Sequence, residues 1–162
     1  MSLNNTDERK GLPRWIGFLL LILLLPLALL FLATYLVAGL FLNVLVWATW
    51  FPRGRSVLIV TSDSPVWSHY MTERVVRVLG PKATVLNWSE RSQWGSLANV
   101  PVILFRYYGH TREFNPLVIV FKALRPARVF RFWKPFKEYK HGKPQAVESL
   151  TEELLRYTGI LD

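Results

Sequence analysis

The side chains able to do chemistry in this chain gather in four polar clusters, three of which follow short apolar runs. Ser62, Asp63 and Ser64 follow the first run, Asn87-Trp-Ser-Glu-Arg91 the second, and Tyr107-Tyr-Gly-His-Thr-Arg112 the third. The fourth cluster, Trp133 to Lys143, interleaves cations with aromatic rings. Asp63, Glu90 and His110 are the acid–base candidates, because carboxylates and imidazoles are the groups that most often carry protons in catalysis. Ser62, Ser64, Trp67, Arg91, Tyr108, Arg112, Lys134 and Lys137 are the ligand-binding candidates. Their hydroxyls, rings and cations suit an anion with a planar or apolar body. A structural role competes at each place: Ser64 as the cap of a helix starting at Pro65, and Ser89 as a cap with Glu90 in the first turn.

Several chemistries drop out. The chain has no cysteine, so disulfides, thiolate metal sites and cysteine nucleophiles are excluded. It has no glycine-rich dinucleotide or P-loop signature and no Gly-x-Ser-x-Gly elbow. His69, His110 and His141 never stand at helical ligand spacing, so no metal site is read, and the sequence leaves the identity of any cofactor open.

The elements that must position these residues alternate. Strands are expected at Ser56–Thr61, Ala83–Asn87, Pro101–Arg106 and Ala127–Phe132, and helices at Pro65–Leu79, Ser89–Leu97, Asn115–Leu124 and Pro144–Thr158. On the Pro65 helix, Met71, Val75, Val78 and Leu79 share an apolar face, with Glu73 and Arg77 paired on the other. Trp133–Lys143 reads as a loop. Strand–helix alternation predicts an α/β fold: a small four-stranded parallel sheet with helices on both faces, Rossmann-like or flavodoxin-like, in order 2-1-3-4. Ligands in such sheets bind beyond the carboxyl ends of the strands, and the polar clusters fall on that edge.

Before this domain lies a run of 37 residues, Trp15 to Phe51, with no charged residue or histidine. It reads as a transmembrane segment. As one helix it would be roughly 55 Å long, more than a bilayer core requires. A helical hairpin turning near Thr34 to Gly39 is therefore the first expectation, and one long tilted helix the second. Trp15 at one end and Trp47 with Trp50 at the other suit interfacial aromatic belts. The division is then a polar lead at 1–14, the membrane segment at 15–51 and a basic α/β domain at 52–162.

The chain carries a net charge of +9, most of it in that last domain. Arg9, Lys10, Arg14, Arg53 and Arg55 flank the apolar run and favour a cytoplasmic setting. The expected partners are the lipid bilayer, anionic lipid headgroups or an anionic small molecule, with a membrane protein as a further candidate. Nucleic acid would also match the charge, but the anchor weighs against it.

Pro52-Arg-Gly-Arg55, Ser62-Asp-Ser-Pro-Val-Trp67, Asn87-Trp-Ser-Glu-Arg91, Glu113-Phe-Asn-Pro116 and Arg131-Phe-Trp133 with Tyr139-Lys-His-Gly-Lys-Pro144 run in this order along the chain. Together they resemble an uncharacterised family of small bacterial membrane-anchored proteins. That resemblance implies an inner-membrane location and brings no activity and no catalytic residue. The Ser-x-x-Trp-Cys-x-x-Glu signature of TIR-type NAD-cleaving domains is echoed only by Ser64, Trp67 and Glu73, with the cysteine absent.

The expected function is a non-catalytic, membrane-anchored module that binds an anionic ligand, headgroup or acidic partner at the carboxyl edge of its sheet. The alternative is a membrane-associated enzyme acting on a nucleotide-linked, phosphorylated or lipid-linked substrate.

Overall fold

The computed structural model describes residues 14–95, 99–109 and 115–161, and the chain divides into two units, Met1–Leu40 and Phe41–Asp162. One helix, α1 (Arg14–Thr49), takes up nearly the whole apolar run. The hairpin expected near Thr34 to Gly39 does not form. Nothing there stops a helix: the Thr34 hydroxyl donates back to the Leu30 carbonyl at 2.9 Å, and leucines continue on either side. Pro26 sits inside the helix without ending it. In the first unit the large apolar side chains from Phe18 to Leu40 stand exposed, Phe31 at 77 %. By length and composition this helix can cross a membrane.

The second unit begins inside the same helix. Leu42, Val46 and Trp50 are buried there against a sheet, so the compact unit starts at Phe41 rather than at Pro52. Trp50 meets the Phe121 ring edge-on at 6.0 Å and serves the core, not an aromatic belt. A single 3-10 turn, Phe51–Arg53, closes on Gly54 in the left-handed region and turns the chain into β1 (Val57–Thr61).

The sheet holds β1, β2 (Ala83–Asn87), β3 (Leu117–Lys122) and β4 (Arg125–Arg131) in the order β2-β1-β3-β4. Only β1 and β2 run parallel; β3 lies antiparallel to both β1 and β4. The sheet is therefore mixed, which corrects the expected parallel fold. Two segments exchange roles. Pro101–Arg106 lies within helix α3 (Val100–Gly109), because its run continues through Tyr107 and Tyr108 and buries Val102, Phe105 and Gly109 at helical spacing. The segment 115–124, read as a helix, contains β3. Its Leu-Val-Ile-Val-Phe core is β-branched and buried on both faces, as a central strand requires.

Helix α2 covers 68–79 and contains a π-helical turn, Met71–Val76. The wider turn lines up Met71, Val75 and Leu79 toward the core and leaves Val78 43 % exposed. Glu73 and Arg77 form the expected ion pair. The segment read as a basic aromatic loop is mostly helix α4 (Trp133–Lys140). Phe136 packs into the core at 1 % exposure, Trp133 is half-buried, and Tyr139, Lys134 and Lys137 stay outside. Helix α5 (Gln145–Thr158) ends at Gly159 in the left-handed region, as its sequence predicts.

Strand alternation splits the core in two. Val57, Ile59, Val118 and Val120 face α2, Phe136 of α4 and Val147 and Leu154 of α5. Leu58, Val60, Leu117, Ile119 and Phe121 face α3 and the end of α1. Burying an apolar side chain of this size is worth about 1.5–3 kcal/mol, so Leu42, Val46 and Trp50 together are comparable to the stability of a small domain. Between α2 and α5, the Tyr70 and Thr151 hydroxyls meet at 3.0 Å. Burial pushes the Tyr70 pKa up, against a smaller opposing pull from that bond.

A polypeptide starting at Pro52 should therefore self-associate or lose cooperative melting, whereas one starting at Phe41 should melt cooperatively; sedimentation and calorimetry decide. Equally sharp transitions would show the end of α1 to be dispensable. Because the folded state holds the Tyr70 proton more tightly than the unfolded chain, its contribution is intact below about pH 10 and falls as pH rises toward the folded pKa. Tyr70→Phe should flatten that alkaline loss in urea unfolding measured from about pH 9 to 11.

Candidate functional site

Strand direction decides what meets at one edge. Parallel pairing sets Thr61 beside Asn87, so the carboxyl ends of β1 and β2 coincide. Antiparallel pairing sets Val60 beside Leu117 and Leu117 beside Arg131, which brings the start of β3 and the end of β4 to the same edge. Ser62, Asn87 to Arg91, Asn115 and Trp133 follow or precede these ends. Arg131 also donates to the Tyr108 and Gly109 carbonyls at 3.1 and 3.3 Å and so caps the end of α3.

Two polar links hold the edge. In one, the Asn87 side-chain amide donates to Asp63 Oδ1 at 3.1 Å and to Glu90 Oε1 at 3.2 Å. Asn87 Oδ1 accepts from the Ser89 backbone N–H at 3.0 Å, and Ser89 Oγ accepts from the Asp63 backbone N–H at 3.0 Å. In the other link, Trp67 Nε1 donates to Ser62 Oγ at 3.1 Å, and that hydroxyl donates to Asn115 Oδ1 at 3.0 Å. Ser64 caps the turn ahead of α2: its hydroxyl accepts from the Val66 N–H and its carbonyl from the Ser68 N–H.

Between these links lies an open groove of about 370 Å³, lined by Ser62, Trp67, Trp88, Ser89, Arg91, Asn115 and Trp133. The Arg91 guanidinium stacks 3.8 Å from the centre of the Trp88 ring. Trp67 and Trp133 meet edge-to-face at 5.8 Å, and Lys137 Nζ stands 5.2 Å from the centre of the Trp133 ring. Among the described residues Arg91 has no carboxylate partner, which leaves its charge to solvent or ligand. Indole walls with a guanidinium beside them suit a planar or apolar group carrying an anion.

The structure sorts the sequence candidates. Ser62, Trp67 and Arg91 line the groove, with Lys137 beside it. Ser64 is a cap, and Lys134 is exposed on α4. Asp63 and Glu90 converge on Asn87 but do not line the groove. Tyr108 belongs elsewhere: its hydroxyl accepts from Asn43 Nδ2 at 2.8 Å, and its ring packs on Phe121. It sits on a helix, not a strand-end loop, which removes it from the candidate set. His110 and Arg112 lie outside the described residues. Trp88, Ser89, Asn115 and Trp133 complete the groove without having been singled out as site residues. For three of them the signal was membership in the same polar clusters. Asn115 required the antiparallel strand to be known.

Asn87 thus neutralises the approach of two carboxylates. Asn87→Ala should destabilise the Phe41–Asp162 unit by about 1 kcal/mol, the usual worth of a partly exposed hydrogen-bonded amide. The isosteric Asn87→Asp should cost more at neutral pH, because it adds a third negative charge, and the difference should vanish where carboxylates are protonated. Urea unfolding at neutral and acidic pH checks both; equal effects at neutral pH would show that Asp63 and Glu90 do not depend on this amide.

No family model matches this chain, and no curated protein and no solved structure matches it.

Proposed function

We propose that this chain is a non-catalytic membrane-anchored module, whose Phe41–Asp162 unit holds an anionic ligand in the groove at the carboxyl edge of β1 and β2. The ligand is an anionic headgroup or small molecule with a flat or apolar portion. One observation carries the reading: three indoles from three separate elements line one open groove together with a guanidinium that has no carboxylate partner among the described residues. Among the described residues, Asp63 and Glu90 are engaged by Asn87 and do not line that groove, which supports binding over acid–base chemistry.

The anchor in this proposal is α1 from Trp15 to Leu40. At 1.5 Å per residue that stretch is roughly 39 Å long, enough for a hydrocarbon core of about 30 Å with some tilt. The proposed setting of the Phe41–Asp162 unit is the cytoplasmic face of a bacterial inner membrane, where its Lys and Arg would meet anionic headgroups. Nucleic acid is disfavoured by the same anchor.

The full chain in nanodiscs of zwitterionic lipid can be titrated with glycerol phosphate and with a nucleoside monophosphate while indole fluorescence is followed. Arg91→Ala should weaken binding about tenfold, the cost of removing one charged hydrogen-bond donor, and Trp133→Ala should weaken whichever ligand carries the flat group. Binding that neither substitution changes would overturn the reading.

A further inference from the structure

The opposite edge of the sheet holds a second cavity, of about 560 Å³, formed where the 51–56 turn meets the β3–β4 hairpin. Its polar lining is Arg55, Ser56, Lys122 and Arg125, and its apolar wall is Phe51, Phe121 and Ala123. Among the described residues no acidic side chain lines it. Among the described residues neither Arg55 nor Arg125 forms an ion pair, while Lys122 rests its ammonium 4.2 Å from the centre of the Tyr157 ring. The Ser56 backbone N–H is bound to the Lys82 carbonyl at 2.9 Å, which leaves the Ser56 hydroxyl as this residue's polar group toward the cavity. Like charges left together without a counter-ion repel, so an anion that fills the gap is favoured.

The hairpin tip sharpens the case. Ala123 and Leu124 form the turn, and Leu124 is held at φ 57° with 88 % of its surface exposed. A leucine in the left-handed region is sterically strained, and exposure gains nothing in return. It stands between Ala123 and Arg125, both of which line the cavity. A ligand seated on the arginines would cover it with an apolar portion.

We infer that this cavity is a second anion site, distinct from the groove, which takes a phosphate group attached to an apolar body. Arg55 and Arg125 hold the phosphate through forked N–H donors, Ser56 offers a hydroxyl, and Phe51 and Leu124 meet the body. The phosphate comes either from a soluble phosphomonoester or from a lipid headgroup.

The test uses the full chain in nanodiscs, with amide and arginine side-chain NMR or calorimetry as readout. The probes are inorganic phosphate and glycerol phosphate in zwitterionic discs, and discs containing phosphatidic acid without soluble phosphate. Arg55→Ala with Arg125→Ala should weaken about tenfold or more the binding of the responding probe as read at the amides of residues 54–56 and 122–125, and Arg77→Ala, on the exposed face of α2, should leave it unchanged. Leu124→Gly, which suits the turn and so keeps the fold, should weaken only a probe with an apolar body. A response to the soluble probes assigns a soluble ligand; a response to phosphatidic acid alone assigns a lipid. No response to any probe overturns the inference, as does binding lost on Arg91→Ala but kept in the double variant. Failure of the groove reading leaves these outcomes unaffected, because Arg91 reports on the groove and the Arg55–Arg125 pair on this cavity.

Discussion

A β-sheet with two apolar faces must be covered twice, and in this chain the second cover is supplied by the end of an otherwise exposed apolar helix. Leu58, Val60, Leu117, Ile119 and Phe121 present one face, and α3 alone does not close it. Leu42, Val46 and Trp50 complete the layer. One uninterrupted run of apolar residues therefore serves two surroundings. The part before Phe41 leaves its side chains outward, and the part after it buries one stripe in a protein core. This also disposes of the excess length: no hairpin is needed once the last turns of the helix belong to the sheet.

The antiparallel placement of β3 shapes the edge where the groove lies. In a wholly parallel sheet, the start of the third strand would lie at the far edge. With β3 reversed, Asn115 stands within hydrogen-bonding distance of Ser62, and that serine also receives the Trp67 indole. The wall of the groove is thus tied to the sheet by half-buried polar links, none of which involves the exposed lysines. The same reversal places the β3–β4 hairpin at the opposite edge, beside the basic turn that follows α1. Both cavities follow from one choice of strand direction.

Charge is distributed accordingly. Asp63 and Glu90 share an amide, Glu73 pairs with Arg77, Glu152 with Arg156 and Glu153 with Arg128. Most of these pairs are solvent-exposed and contribute little to stability. Their effect is instead to leave Arg55, Arg91 and Arg125 as cations without carboxylate partners among the described residues, and each of these three lines a cavity.

The sequence alone determined the long uncharged run, though not that it forms one helix instead of a hairpin, the strands β1, β2 and β4, the amphipathic α2 and α5, and the gathering of polar residues after β1 and β2. Each rests on a local property: unbroken hydropathy, a short β-branched run, or helical spacing with a proper stop. Tertiary structure decided the rest. Pro101–Arg106 and Leu117–Lys122 are both short apolar runs, and only packing tells the helix from the strand, because burial on every side erases the periodicity that distinguishes them. Tyr108 left the site and Asn115 joined it for the same reason. Where the apolar run passes from outward-facing to buried was likewise invisible, since a leucine facing lipid and a leucine facing a sheet obey the same preference for leaving water.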